Sequence, residues 1–205
     1  MADAAALASR LGPGGKGQFC FRCGAPGAVA LVEGGFERYR CPRGHVEDRC
    51  FLFDGRARFS LGPQGLVHES VGALVVRDGR LLLFERCKYP PGWTIPAGHL
   101  EEEADPGREM RREVGEEVGL EVTAARAVWE DAPRLLADRC RRGADWHRWH
   151  LFLVEAQGEP RLGDEGVRFG WFTPAETRAL DLIAPVRAIL GDATVARLLP
   201  QAGVP

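Results

Sequence analysis

Residues 98–120 read GHLEEEADPGREMRREVGEEVGL, and this stretch is the most informative part of the sequence. Asp105 followed by Pro106 is a typical helix start, and Gly119 stands where a helix ends. The predicted helix carries an apolar stripe that recurs every four residues, formed by Met110, Val114 and Val118. The stretch therefore predicts a helix over residues 106–118 with one buried face.

Carboxylates cluster on an adjoining face of this predicted helix, namely Glu109, Glu113, Glu116 and Glu117. Like charges at this spacing destabilise an exposed helix by about 0.2–0.5 kcal/mol per pair, and near its C-terminus they oppose the helix dipole. A bound divalent cation reverses the sign of that cost, and oxygen ligands around Mg²⁺ or Mn²⁺ suit phosphate chemistry. The helix alone leaves a solvated acidic face as the alternative.

The composition is that of a soluble globular protein. The chain has 205 residues, of which 45% are hydrophobic and 27% charged, so wholesale disorder is excluded. Its apolar runs are too short for a membrane span, and no secretory signal is visible, so we expect a cytoplasmic protein without a membrane partner. The net charge of −2 does not indicate a nucleic-acid-binding surface.

Alternating and apolar segments surround the predicted helix. An Asp-Gly turn at residues 77–80 indicates a hairpin between strands 70–76 and 81–86. Further strands are predicted at residues 120–127, 149–155 and 167–172. A capping box at residues 173–176 predicts a C-terminal helix, broken by Pro185. This order favours an α/β fold, with helices flanking a mixed sheet.

The stretch resembles the Nudix box, G-x5-E-x7-R-E-U-x-E-E-x-G-U, in which U is a bulky apolar residue. Every fixed position matches except one, because Ala104 stands where a Glu is usual. The lead-in WTIPAGHLE, which begins at Trp93, is also typical of the family. The resemblance implies an α/β/α sandwich that hydrolyses a nucleoside diphosphate linked to another group.

The resemblance also implies roles for residues. Mg²⁺ or Mn²⁺ would be held by the Gly98 region and by three carboxylates, Glu113, Glu116 and Glu117. Arg112 would steady these carboxylates by pairing with the first Glu of the box. Since Ala104 cannot pair, we expect the neighbouring Glu103 to reach Arg112 instead.

A general base and substrate contacts complete the expected site. Glu165, in the acidic loop 163–166, is the predicted base, against the alternative of an ordinary turn residue. Arg86, Trp93 and Arg148 are candidates for substrate binding. His147 and His150 would point to opposite faces of a strand and so not share an ion, while Cys87 and Cys140 are expected to be isolated thiols.

The N-terminal cysteines resemble a zinc ribbon. Cys20 and Cys23 form a CxxC-Gly knuckle, whereas the second knuckle offers Cys41 with His45 as the fourth ligand, or Cys50 instead. Metal-free thiols are the alternative. The predicted organisation is a flexible tail (1–17) with at most a helical turn, a zinc-ribbon-like β unit (18–61), a linker at residues 62–65 and a Nudix domain (66–200). The ribbon's role would be structural or to form a homodimer.

The expected function is divalent-metal-dependent hydrolysis of a pyrophosphate bond, with ADP-ribose or a related ADP-linked compound as the leading substrate. One alternative is a Nudix-fold protein that binds or senses a nucleotide without turnover. The other is a hydrolase that removes modified or capped nucleotides.

Overall fold

The computed structural model describes residues 1–12, 15–33 and 36–199. Its first part is a small β unit behind a short helix. Helix α1 (Ala4–Leu11) precedes five strands: β1 (Gly17–Cys20), β2 (Val29–Glu33), β3 (Phe36–Arg40), β4 (Val46–Glu47) and β5 (Cys50–Phe53). Strands β1 and β5 pair with each other, while β2, β3 and β4 form a separate antiparallel sheet.

The second part is built on one large sheet. Its strands in the described residues are β6 (Phe59–Gly62), β7 (Gly65–Arg77), β8 (Arg80–Arg86), β9 (Gly92–Thr94), β10 (Ala97–His99), β11 (Glu121–Ala127), β12 (Arg134–Ala137), β13 (Trp146–Gln157) and β14 (Gly166–Phe172). The main order is β11-β13-β7-β8-β14, and the shorter strands pair beside it. Strands β7 and β13 are parallel, whereas the other pairs are antiparallel, so the sheet is mixed.

Helices cover both faces of this sheet. Helix α2 (Pro106–Val118) packs on one face, where its apolar stripe meets residues such as Val71, Ala73 and Phe84. Helices α3 (Ala184–Leu190) and α4 (Ala193–Leu198) cover the other face over Leu74, Leu83 and Ile95. Because β7 is buried on both sides over residues 71–75, its sequence there is continuously apolar rather than alternating. The predicted α/β sandwich with a mixed sheet, behind a small β unit, is confirmed.

Helix α2 has the predicted bounds because both of its ends are fixed locally. The Asp105 carboxylate accepts a hydrogen bond from the Arg108 N–H at 2.8 Å, and Pro106 occupies the first turn. Gly119 ends the helix with φ of 67°, a left-handed conformation that glycine adopts without strain.

Three predicted features differ from the structure. The expected linker at residues 62–65 is the tight turn of the hairpin that joins β6 to β7. Pro185 starts helix α3 instead of breaking a helix, since a proline lacks the N–H that the first turn leaves unpaired anyway. The capping box of Thr173 and Glu176 is formed with reciprocal hydrogen bonds, but it opens only a short 3₁₀ helix, Glu176–Ala179.

The N-terminal segment is packed rather than free. Helix α1 occupies much of the expected flexible tail, and its Leu7 is buried against Phe19 and Phe51. Pro13 and Gly14 of that segment lie outside the described residues. The same apolar cluster contains Leu66 and Ala144 from the large sheet and its loops, so the two parts share one core. Among the described helices, none is long and apolar enough to cross a bilayer.

Candidate active site

A cavity of about 480 Å³ opens between the C-terminal half of α2 and three loops. Loop 163–166 contributes to one side, the segment after β8 to another, and residues 138–145 between β12 and β13 to a third. We call residues 138–145 the basic loop, because it carries Arg139, Arg141 and Arg142. The volume lies within the range of small-ligand sites.

The carboxylates of α2 form the acidic wall of this cavity, which we define as Glu113, Glu116 and Glu117. Glu117 is enclosed and accepts a hydrogen bond from the Ala97 N–H at 2.7 Å. Burial raises the pKa of Glu117 to about 8, and the Glu113 and Glu165 carboxylates also raise it. Burial likewise raises the pKa of Glu113 to about 7, although the charge of the neighbouring Arg112 lowers it. Burial and the neighbouring carboxylates thus raise these pKa values by more than the adjacent cations lower them.

Gly98 faces the acidic wall at very short range. A Cβ atom at this position would lie 2.0 Å from Oε1 of Glu113, so any side chain would displace that carboxylate. Strand β10 holds Gly98 in register with Val71 of β7, which fixes its backbone beside the helix. The glycine of the motif is therefore required by close approach between a strand and a carboxylate.

Arg112 is paired within its own helix, and the expected contact with Glu103 is not formed. Its guanidinium donates to Glu109, Glu113 and Glu116. The Glu109 carboxylate is nearly buried and accepts from Nε of Arg112 at 2.7 Å. Glu103 instead lies exposed in a turn with φ of 65°.

Arg112 pairs with Glu109 and not with Glu103 for a simple physical reason. Glu109 lies one helical turn before Arg112 and reaches it without any change of the backbone. Ala104 packs its methyl group against the apolar cluster under α2, and its carbonyl accepts from Arg58 at 3.0 Å. The missing box glutamate is therefore replaced from within the helix, not from the loop before it.

Glu165 lies on the cavity wall among cations. Its carboxylate accepts from Arg86 at 2.8 Å and from Lys88 at 3.3 Å, and Arg141 of the basic loop is 3.8 Å away. Burial alone would raise the pKa of Glu165, but these three cations lower it below its ordinary value. The structure thus lines the cavity with positive charge as well as with the acidic wall.

Of the three residues expected to bind substrate, Arg86 lines the cavity, whereas Trp93 and Arg148 do not. Trp93 is buried in the apolar core, with its ring 5.1 Å from that of Phe172. It was expected at the site because it stands in the lead-in to the motif, but strand β9 turns it inward. Arg148 is 3.7 Å from the Glu69 carboxylate and does not line the cavity. Trp149, its neighbour, does line it.

The N-terminal cluster brings together Cys20, Cys23, Cys41 and His45, whose ligand atoms all lie within 4.8 Å of one another. Sγ of Cys20 is 3.7 Å from Nδ1 of His45, and the sulfurs of Cys23 and Cys41 are 3.6 Å apart. The hydrogen bond from the backbone N–H of Ala25 is the main cause of the lowered pKa of Cys23, which is about 6. These are the donors and spacings of a tetrahedral zinc site.

Cys50 does not belong to this cluster. It is fully buried opposite Cys20 in the β1–β5 pair, and burial raises the pKa of its thiol to about 12. A protonated thiol in an apolar setting is a poor metal ligand. Of the two candidates for the fourth position, the structure therefore brings His45 to the other three residues and keeps Cys50 away.

A second Cys/His cluster was missed by sequence reasoning. His68, His99, Cys140 and His147 come together with ligand atoms within 4.8 Å of one another, and all of them except His68 line the cavity. His147 and His150 do face opposite ways, as predicted, since His150 contacts Glu69 at 3.1 Å. Cys140, however, is not isolated. The four residues span 80 positions without a recognisable spacing, so only the pairing of strands reveals them.

The comparisons with known proteins agree with this geometry. The family model described as NUDIX domain matches residues 66–191, which is more than half of the chain. A MutT-like protein of Streptomyces ambofaciens is 33% identical over 113 residues, or 52% of this chain. The matched region spans 64% of the length of that relative.

Two solved structures share the fold. The MutT NUDIX hydrolase of Burkholderia pseudomallei aligns with a TM-score of 0.51 and 25% identity, over 62% of this chain and 98% of that one. The NUDIX domain of Shewanella oneidensis NrtR, solved as a complex with ADP ribose, aligns with a TM-score of 0.51 and 16% identity, over 63% and 85%. With its carboxylate helix, mixed sheet and matching family model, this chain belongs to the NUDIX family.

Proposed function

We propose that this protein is a hydrolase that uses Mg²⁺ or Mn²⁺ to cleave the pyrophosphate bond of a nucleoside diphosphate linked to another moiety. The observation that carries this proposal is that one cavity is lined both by the acidic wall and by the cations Arg86, Lys88 and Arg141. A pyrophosphate needs both, because its charge is neutralised by metal ions on one side and by Arg or Lys on the other.

The acidic wall fits a divalent cation. Its donors are carboxylate oxygens, which Mg²⁺ and Mn²⁺ prefer, and burial together with neighbouring carboxylates raises the pKa of Glu113 and of Glu117. A bound cation would favour the charged forms of both groups. Glu113, Glu116 and Glu117 would hold the ion, with the Gly98 backbone beside them. When bound, such an ion supplies a Lewis acid and a water of lowered pKa.

The chain's own residues orient the phosphates. Arg86 and Lys88 reach into the cavity from the segment at the end of β8, and Nε of Arg86 is buried without a hydrogen-bond partner among the described residues. A phosphate oxygen would satisfy that donor. Glu165 is the proposed general base: engagement of Arg86 and Lys88 by phosphate would weaken their hold on its carboxylate and make it more basic.

ADP-ribose or another ADP-linked compound is the proposed substrate. The ADP-ribose complex of the Shewanella NrtR domain concerns that protein, and it supports here only that this fold accommodates such a ligand. The same comparison is compatible with a second function, in which the domain binds a nucleotide without turnover. A hydrolase of modified or capped nucleotides is the further alternative.

The N-terminal cluster is proposed to hold a structural Zn²⁺. Forty or so residues with few aliphatic side chains rarely hold a core without such a staple. Cys20→Ser should release the ion and expose the β1–β5 pair to proteolysis. Retention of this zinc by Cys20→Ser would contradict the proposed ligand set.

A substrate panel tests the proposed activity. Purified protein is incubated with ADP-ribose, other ADP-linked compounds, oxidised nucleotides and cap analogues, each with Mg²⁺ or Mn²⁺, and products are resolved by chromatography. We expect cleavage to a nucleoside monophosphate and a phosphorylated partner, abolished by chelator. Tight binding of one compound by calorimetry without any product would favour the sensing function instead.

A further inference from the structure

We infer that His68, His99, Cys140 and His147 form a second metal centre, a site of three imidazoles and one thiolate that takes Zn²⁺ or a similar transition-metal ion. This inference is independent of the proposed hydrolysis, because none of the four residues belongs to the acidic wall. It also differs from the N-terminal cluster, which offers three thiolates and one imidazole.

Strand pairing places three of these side chains on one face of the large sheet. His68 of β7 is the register partner of His147 on the parallel strand β13. His99 pairs with Ser70, two positions from His68, so it points to the same side. The basic loop then brings Cys140 over this face. A set gathered from four places in the chain is held by the whole sheet.

The ligand atoms of the four residues are close enough together to coordinate a single ion. Ring centroids are 5.1 Å apart for His68 and His99, 5.4 Å for His68 and His147, and 5.3 Å for His99 and His147. Sγ of Cys140 is 3.5 Å from Nδ1 of His68. With Zn–N bonds of about 2.0–2.1 Å and a Zn–S bond of about 2.3 Å, ligand atoms of a tetrahedral site lie roughly 3.3–3.6 Å apart. The sulfur–nitrogen distance already has that value.

The cluster is largely buried, and one of its ring nitrogens has no hydrogen-bond partner among the described residues. His68 and His147 are each 1% exposed and Cys140 is 8% exposed. Nε2 of His99 is buried without a hydrogen-bond partner among the described residues. An unpaired buried nitrogen costs free energy of folding, and a coordinated metal ion would use its lone pair.

The partners of His147 are those of a metal ligand. Its Nδ1 lies 3.0 Å from the Asp138 carboxylate, which also accepts from Nε1 of Trp149 at 3.2 Å. This leaves Nε2 of His147 for coordination and fixes the plane of its ring. Carboxylates behind metal-binding histidines hold such rings in this way.

The proposed centre has a structural role, since four protein ligands fill a tetrahedral site and leave no open position for substrate. It would tie the basic loop, through Cys140, to strands β7, β10 and β13. Arg141 of that loop stands near Glu165 at the cavity. The ion would therefore fix the cationic side of the cavity without touching the reacting groups.

Metal content and coordination test this inference in the full-length protein. Wild-type protein, purified without chelator and washed free of loose metal, should hold about two zinc ions per chain. Cys140→Ser should lose about one of them, and X-ray absorption of the remaining zinc should show three sulfurs and one nitrogen. Cys20→Ser should show the converse, a remaining site with one sulfur and three nitrogens. Cys87→Ser, at an exposed cysteine outside both clusters, is the matched control and should keep both ions.

The spectrum of the cobalt-substituted protein is a second test. Cobalt-substituted wild type should show a tetrahedral spectrum with contributions from both ligand sets, of which Cys140→Ser removes the nitrogen-rich one. Unchanged metal content and unchanged zinc coordination in Cys140→Ser would overturn the inference. So would wild-type protein whose zinc has only three sulfurs and one nitrogen around it.

Discussion

The two sides of the cavity are built in opposite ways. The acidic wall comes from one helix of thirteen residues and the strand before it, with caps, stripe and carboxylates all in one contiguous stretch. The basic loop has no regular structure of its own, and its position depends on distant residues. The acidic wall is therefore predictable from the sequence, whereas the basic loop takes its position only in the assembled fold.

The N-terminal unit is the main support of the basic loop. Arg49, which is 9% exposed, donates to the carbonyls of Cys140 and Ala144 and to the Asp145 carboxylate. The ring of Phe51 packs so closely on Gly143 that a Cβ there would lie 2.5 Å from it. Through these contacts the small β unit ahead of the NUDIX domain supports a loop that lines the cavity.

The largest effect should come from the acidic wall. Glu117→Gln keeps the shape of the side chain and removes one ligand charge, so turnover should fall by about a hundredfold, the upper range for damage to a metal site. The fold should survive because the helix loses a repulsion. Steady-state kinetics at limiting Mg²⁺ measures the loss, with the exposed Glu102→Gln as control. A Glu117→Gln enzyme as fast as this control would remove Glu117 from the metal site.

A methyl group at Gly98 should act almost as strongly. Gly98→Ala forces the Glu113 carboxylate away from the strand, and misplacement of a catalytic group by about 1 Å costs up to about a hundredfold in rate. We expect a loss of at least about tenfold in kcat with an unchanged unfolding midpoint to within a few degrees. Gly115→Ala is the matched control, because a Cβ at that position meets only open space. Equal rates in the two variants would show that Glu113 need not sit against the strand.

Release of the basic loop should affect stability and substrate affinity together. Arg49→Met removes the side-chain hydrogen bonds to two carbonyls of the loop and to the Asp145 carboxylate, and should lower the free energy of unfolding by about 2 kcal/mol. Because the loop then moves, KM should rise more than kcat falls. Urea unfolding and initial rates measure both effects. Arg22→Met, which breaks an exposed pair with Glu47, is the control and should cost less than about 1 kcal/mol. A change in stability with no change in KM would separate the loop from the site.

The smallest effects compare two glutamates before and within α2. Glu109→Gln weakens the main partner of Arg112 and should cost about 1 kcal/mol of stability with a several-fold loss of rate. Glu103→Ala should be neutral within about 0.5 kcal/mol, because its exposed side chain does not hold Arg112. Thermal unfolding and kinetics of the two variants side by side decide between them. A larger effect of Glu103→Ala would restore the pairing that the sequence suggested.

Short-range features of the fold were predictable because their causes are local. The bounds of α2 follow from Asp105, Pro106 and Gly119, which act within one turn of the helix ends. The hairpin between β7 and β8 follows from its Asp-Gly turn. Strand β12 was missed because Arg134–Ala137 has no alternation of its own and forms only by pairing with β13.

The helix of the NUDIX motif, its carboxylates and the three cysteines of the first Cys/His cluster were predictable from the sequence, because the residues that act together are near neighbours. The burial of Trp93, the packing of helix α1 and the gathering of His68, His99, Cys140 and His147 follow only from the folded chain. Each of these depends on which strands pair and which faces are buried. Register between strands distant in sequence is set by the whole core at once, and a local pattern carries no record of it.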